Sequence, residues 1–340
     1  MSAIYKDLKN KKIFITGGGG YCGTRLVPQL LKEGYSVVVY DKFYFGNFLP
    51  KKNKKLEIIK GDIRDTKKIY KYCKGCNIFI HLACISNDSS FELNNALSKT
   101  INMDSFEPMV LAAKKAKIER FIYASSSSVY GISKKKNVTE EHPLKPLTLY
   151  NKFKGLCEPI LLKHTDENFT GVIFRPATVC GYSPRQRFDV SVNILTNHAV
   201  NNCKILVFGG KQLRPNLHIQ DYCDVVKLLI KAPKKKIDNQ IFNVGHQNLS
   251  ILNIAKKVKK IVKLQFGYKK IGLEIQKSND MRSYHINSSK IFRILKFKPK
   301  KNIEHAIKEI CGALKTKKYT NPLNNDLYFN VKTLLKKKIY

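Results

Sequence analysis

Short apolar runs, each bounded by glycine or polar residues, recur along the first part of the chain. The runs around Ile13 to Ile15, Ser36 to Tyr40, Leu56 to Lys60, Asn77 to His81 and Arg120 to Ala124 have the length and continuity of parallel strands covered on both faces. Between them the apolar positions take helical spacing, most extensively from Glu92 to Ala116. Strand and helix therefore alternate five times in 125 residues, which predicts a doubly wound parallel α/β sheet with its ligand at the carboxyl ends of the strands. A helix opening at Leu149 and running to about His164, a sixth strand at Val172 to Pro176 and a strand at Lys204 to Phe208 continue the pattern.

The first strand runs into Thr16-Gly17-Gly18-Gly19-Gly20-Tyr21-Cys22-Gly23. Glycines at 17, 20 and 23 allow a tight turn, close approach of the backbone N–H groups around Tyr21 and Cys22 to a pyrophosphate, and close packing of the next helix. Taken alone, a four-glycine run also suits a flexible turn. Asp41 at the end of the second strand changes that, because a carboxylate there accepts both adenosine ribose hydroxyls and repels the 2′-phosphate of NADP. NAD is the expected cofactor, with Lys42 keeping some tolerance for NADP open. Asp62 after the third strand is placed to receive the adenine amine with Ile63 over the ring, or to cap a helix. The small residues of Leu82-Ala83-Cys84 would let the cofactor pass close to the backbone, and His81 reads as a core histidine.

A chain of 340 residues, 43% hydrophobic, can bury a full core. No run of about 18 or more apolar residues occurs and the first residues are too polar for a secretory segment, so a cytoplasmic location and no membrane partner are expected. Nine scattered cysteines read as reduced core thiols; Cys73-x-x-Cys76 has no second pair, and no metal is expected. The net charge of +38 raises nucleic acid as a partner, but 54 of the 63 basic residues are lysines spread over the whole chain, which argues for a diffuse solvated surface. Arginine, with its planar fork, is more informative: Arg175, Arg185, Arg187, Arg214 and Arg282 all lie in the second half, four of them in segments expected to face substrate.

The fifth strand ends in Ser125-Ser126-Ser127-Ser128-Val129-Tyr130-Gly131, which puts hydroxyls at the nicotinamide end. Tyr150 and Lys154, four apart, share one helix face. A free phenol near pKa 10 is a poor base at neutral pH, and a neighbouring ammonium together with a positive nicotinamide would bring it towards working pH. With the glycine loop, Asp41, Asp62, the serine tract and Tyr150-x-x-x-Lys154 in place, residues 10 to 312 resemble the extended short-chain dehydrogenases/reductases of the nucleotide-sugar epimerase/dehydratase family. The resemblance implies a Rossmann domain over 10–176 interleaved with a smaller substrate region over 177–312. It also implies that Ser126 orients the sugar oxygen, Tyr150 exchanges its proton and Lys154 holds the nicotinamide ribose. Asn102 and Pro176 join the cofactor contacts. Thr178, Arg187, Asn193, Arg214, Lys277, Asp280 and Arg282 are the implied substrate contacts. Members that eliminate water or decarboxylate carry acids where this chain has Ser127 and Ser128, so the sequence resembles epimerases and reductases more than 4,6-dehydratases.

The expected function is a nucleotide-sugar epimerase like UDP-glucose 4-epimerases, acting as a homodimer. A keto-sugar nucleotide reductase is the rival among enzymes, and a non-catalytic NAD- or RNA-binding member of the fold is the rival outside them. Residues 313–340 lie past the resemblance and read as a tail packed on the domain or on a partner subunit.

Overall fold

The computed structural model describes residues 11–133, 137–278 and 283–339. The first six strands are β1 (Lys12–Thr16), β2 (Ser36–Asp41), β3 (Leu56–Lys60), β4 (Ile78–His81), β5 (Arg120–Ala124) and β6 (Thr170–Pro176). They are followed by β7 (Thr178–Cys180), β8 (Lys204–Phe208), β9 (Leu213–His218), β10 (Gln240–Val244), β11 (Gln247–Ser250) and β12 (Gly272–Gln276). Seven strands form the expected doubly wound sheet in the order β10-β6-β5-β4-β1-β2-β3, every pair parallel. The order reverses between β1 and β4, and a crevice opens at such a reversal.

Alternation along each strand divides the core in two. Ile13 and Ile15 pack with Val37, Val39 and Ile80 on one face of the sheet, whereas Phe14 packs with Val38 and Phe79 on the other. Strand β10 adds an edge beside β6, so a segment far along the chain completes the dinucleotide sheet. A separate apolar cluster joins the helices Ser191–Asn202, Ile251–Phe266 and Ile303–Lys315 under β8. The small sheet β11-β9-β7 leads from the end of β6 towards it.

The helical stretch expected from Glu92 to Ala116 is broken. Helix Asn95–Lys99 passes through a π-helical turn at Thr100–Asp104 before helix Phe106–Lys115 begins. The turn carries Asn102, whose side chain accepts from Ile85 N at 2.8 Å and donates to Ile85 O at 2.9 Å. Local hydrophobic spacing does not register this tertiary demand on Asn102.

Candidate functional site

Helix Gly23–Lys32 starts without a side-chain cap, which leaves its first N–H groups and dipole to an anion at the glycine loop. Gly17 has φ +76°, and a Cβ there would lie 2.5 Å from Ala83 N; at Gly23 a Cβ would lie 2.4 Å from Gly18 O. Only glycine lets the loop press against the end of β4 and the helix press against the loop. Gly17, Gly20, Tyr21, Cys22 and Gly23 line one end of a cleft of about 760 Å³, within the range of small-molecule sites.

Asp41 accepts from Gly19 N at 2.9 Å and Phe43 N at 2.7 Å; burial raises its pKa and those two donors oppose the rise. Asp62, held to a pKa of about 2 chiefly by hydrogen bonding to Arg64, lines the same end with Ile63. Lys42 sits 3.4 Å from the Asp62 carboxylate, which it shares with Arg64. Leu82, Ala83 and Pro176 line the middle of the cleft. The buried His81 ring bonds the Thr16 hydroxyl at 2.7 Å, as befits a core histidine.

At the other end the serines form a chain. Ser126 Oγ lies 2.7 Å from Ser128 Oγ and accepts from Ser128 N, and the Ser128 hydroxyl donates to Asn151 Oδ1. Ser127 Oγ faces the Tyr284 hydroxyl at 3.4 Å. Lys154 is buried and donates to Ala124 O at 2.9 Å, fixing its ammonium at the end of β5. Tyr150 lines the cleft on the same helix, Leu149–Lys163. Its phenol is not low: burial raises it well above 10, Cys84 adds to the rise, and Arg187 opposes it. The lowering expected from Lys154 is therefore not delivered by the protein's own charges.

Thr178, Arg187 and Arg214 line the cleft as well. Asn102 and Asn193 do not line it: the amide of Asn102 is spent on backbone and that of Asn193 on backbone and the Tyr21 hydroxyl. Asn193 accepts from Gly181 N at 3.1 Å and donates to Arg187 O at 2.9 Å and the Tyr21 hydroxyl at 3.1 Å, so it positions a loop and does not face a substrate. Lys277 is exposed and outside the cleft wall, and Asp280 and Arg282 lie outside the described residues. Arg175, in the sixth strand, is buried under the serines in an ion pair with Glu158. Cys22, Cys73 and Cys76 are free thiols pushed up by burial to about 12, 12 and 11, and among the described residues no group of three or more metal-ligating side chains occurs. No local motif marks Ser86, Asp189 and Asn330, which also line the cleft; Asn330 lies in the C-terminal stretch.

A doubly wound sheet with a glycine cradle, an acid closing its second strand and a Tyr-x-x-x-Lys helix defines a dinucleotide-dependent enzyme of the extended short-chain dehydrogenase/reductase class. The chain belongs to the NAD dependent epimerase/dehydratase family, whose model matches residues 13–245. It is 27% identical over 320 residues to a UDP-glucose 4-epimerase of Lactobacillus helveticus, covering 87% of this chain and 94% of that one. It is also 28% identical over 318 residues to a dTDP-D-glucose 4,6-dehydratase of Bos taurus, covering 88% and 87%. Among solved structures, UDP-glucuronic acid 4-epimerase of Bacillus cereus, in complex with UDP-glucuronic acid and NAD, superposes with a TM-score of 0.78 at 26% identity, covering 90% of this chain and 99% of that one. Among the described residues no helix is long and apolar enough to cross a membrane.

Proposed function

We propose that this protein is a nucleotide-sugar 4-epimerase, which oxidises a sugar hydroxyl to the ketone and reduces the ketone again from its other face. Relatives with epimerase and with dehydratase activity are equally similar, so the reading is carried by the serine tract. Elimination of water needs a general acid and base beside the sugar, in addition to Tyr150. Positions 127 and 128 supply only hydroxyls, and both are engaged, with Tyr284 and Asn151.

NAD, when bound, supplies a reversible hydride acceptor. The chain's own groups do the rest. Ser126, its oxygen fixed by Ser128 N, presents a hydroxyl to the sugar oxygen. Tyr150 takes the sugar proton and returns it. Because burial raises the phenol, its ionised form depends on positive charge brought into the cleft beside Arg187, and the residue is neutral without it. Lys154, set at the end of β5, holds the nicotinamide ribose. Thr178 and Arg214 take the sugar nucleotide.

The test is a panel of uridine and thymidine diphosphate sugars with product identification by NMR. A C4 epimer formed with no net change in NADH supports the reading. A 4-keto-6-deoxy product, or consumption of one NADH per sugar, overturns it in favour of a dehydratase or a reductase.

A further inference from the structure

The loop that carries Arg185 and Arg187 is tied to the first turn of helix Gly23–Lys32. Ser183 Oγ donates to Tyr21 O at 2.7 Å and lies 2.9 Å from Thr24 Oγ1, which in turn accepts from Arg185 N at 3.3 Å. Both guanidinium groups therefore enter the cleft beside the glycine loop. Arg187 donates through Nε to Asp189 Oδ1 at 2.8 Å and through Nη1 to Ser86 Oγ at 3.2 Å, while its Nη2 is buried with no hydrogen-bond partner. Arg185 is 2% exposed and stacks 4.0 Å from the centre of the Phe45 ring; its Nη2 donates to Asn330 Oδ1 at 2.6 Å, and its Nε is buried without a partner. Burial, then repulsion from Arg187, lowers Arg185 to a pKa of about 9.

A buried donor left unpaired is costly, and although Asp189 pairs with Arg187 and Asp41 faces Arg185, each guanidinium keeps a buried donor that neither acid takes, which suits an anion with several acceptor oxygens. The cleft offers two such anions, the diphosphate of the dinucleotide and that of a sugar nucleotide. The hydrogen bonds between the loop and the helix place the arginines at the first.

Asn330 closes the arrangement. Its amide accepts from Arg185 and donates to Ser86 Oγ at 3.0 Å, and its own N–H donates to Asp189 Oδ2 at 2.9 Å, so it touches Arg185 and both partners of Arg187. The segment that presents it is docked by Tyr319 and Tyr328 against Phe188, with ring centres 5.3 and 5.5 Å away, and by the buried Leu334, which also lines the cleft.

We propose that Arg185 and Arg187 are ligands for the diphosphate of the dinucleotide, and that the C-terminal segment, through Asn330, latches them and so sets how tightly the cofactor is retained. This moves Arg187 from the substrate to the cofactor and gives the C-terminal segment a role. The inference rests on the family's dinucleotide and not on the epimerase reading, so a protein that binds NADH but epimerises no sugar still tests it.

The experiment measures binding of NADH, ADP-ribose, adenosine and UDP by calorimetry, with NADH release by stopped flow. Arg187→Gln is expected to weaken NADH and ADP-ribose by on the order of tenfold or more and to leave adenosine and UDP within about twofold, as loss of a charge-assisted bond to phosphate requires. Asn330→Ala is expected to show the same split on a smaller scale, with NADH released on the order of fivefold faster. A purely structural role would weaken adenosine as much as ADP-ribose. If Arg187→Gln does not fold, Arg187→Lys, which keeps the charge facing Asp189 but not the fork, carries the same comparison. Loss of UDP binding with ADP-ribose unchanged returns Arg187 to the substrate and overturns the proposal, as does an Asn330→Ala variant that binds and releases every ligand as the unmodified protein does.

Discussion

Glu158→Ala is expected to destabilise the protein by about 3–5 kcal/mol, the range for removing one partner of a buried ion pair. Glu158 and Arg175 have side chains 3% and 4% exposed, and Arg175 reaches the carboxylate through Nε at 2.9 Å and Nη2 at 2.5 Å. Truncation would leave that guanidinium with the Tyr130 hydroxyl at 2.6 Å and the Glu140 carbonyl at 3.3 Å, and Ser125 would lose its acceptor at 2.6 Å. Burial alone lowers Arg175, and the pairing with Glu158 outweighs it, so most of the loss is an uncompensated buried charge. Glu158→Gln keeps the shape and exchanges charge-assisted bonds for neutral ones, a loss of about 2 kcal/mol. The double variant Glu158→Leu with Arg175→Met removes both desolvated charges and is expected to recover most of the stability. Urea unfolding reads this as a shift of midpoint at unchanged m-value. Because Ser125 and Tyr130 flank Ser126, Glu158→Gln is also expected to lower kcat with little change in KM. A loss under about 1 kcal/mol for Glu158→Ala, or a double variant no more stable than the single, would refute the account of a pair whose charges depend on each other.

Four further outcomes are expected. Asp41→Ala narrows the preference for NAD over NADP by removing repulsion of the 2′-phosphate, and equal binding of both by the unmodified protein in a fluorescence titration would show that Asp41 does not discriminate. Arg214→Lys keeps charge but loses the fork, so KM for the best sugar nucleotide rises on the order of tenfold while Tyr150→Phe abolishes turnover; a silent Arg214→Lys would displace the substrate diphosphate from that arginine. Duplex DNA or RNA binds weakly, without sequence preference and with affinity falling steeply as salt rises, and sequence-selective binding at about physiological salt would favour the RNA-binding reading. Leu111, Leu149 and Leu156 are 47%, 40% and 42% exposed on two adjacent helices, so a second copy is expected to cover them and Leu156→Glu to give a monomer by light scattering; an unmodified protein that is monomeric at micromolar concentration removes the dimer.

Legibility in the sequence followed the range of the interaction. The glycine loop, Asp41 and the Tyr150–Lys154 pair are defined within a few residues of the chain, and each meets the cleft in the structure. The strands were legible because continuous apolar runs have few other uses in a parallel sheet. Contacts made across the fold were not. The Arg185–Asn330 bond spans 145 positions and the Asn330–Ser86 bond 244, and nothing near Asn330 in the sequence marks it as facing a cleft. Asn102 and Asn193 failed as ligands for one reason: an asparagine amide suits a buried backbone N–H and C=O as well as it suits a ligand, and only the tertiary structure decides. The pKa of Tyr150 is a different case: within the chain alone burial dominates and the Lys154 ammonium is turned to Ala124, while the expected lowering also requires the positive nicotinamide.

The arginines show what the lysine-rich composition conceals. Most ion pairs made by lysine lie at the surface: those of Lys12, Lys68, Lys99 and Lys204 have lysine side chains 38% to 59% exposed, with Lys227 at 18% the most enclosed. Such pairs contribute little to stability. Three arginines of the second half behave in the opposite way, Arg175 and Arg187 with side chains 4% and 12% exposed and Arg185 with 2% of the residue exposed, whereas Arg293 is at the surface. Burying a cation requires several oriented acceptors at once, a requirement the guanidinium fork is shaped to meet, and Lys154 is the one lysine found buried among the described residues. At these three positions arginine marks an enclosed charge, not the substrate as such. One such position, Arg175, is satisfied by Glu158 and holds the serine tract. The other two, Arg185 and Arg187, line the cleft and retain an unpaired buried donor each, the observation on which the proposed diphosphate contact rests.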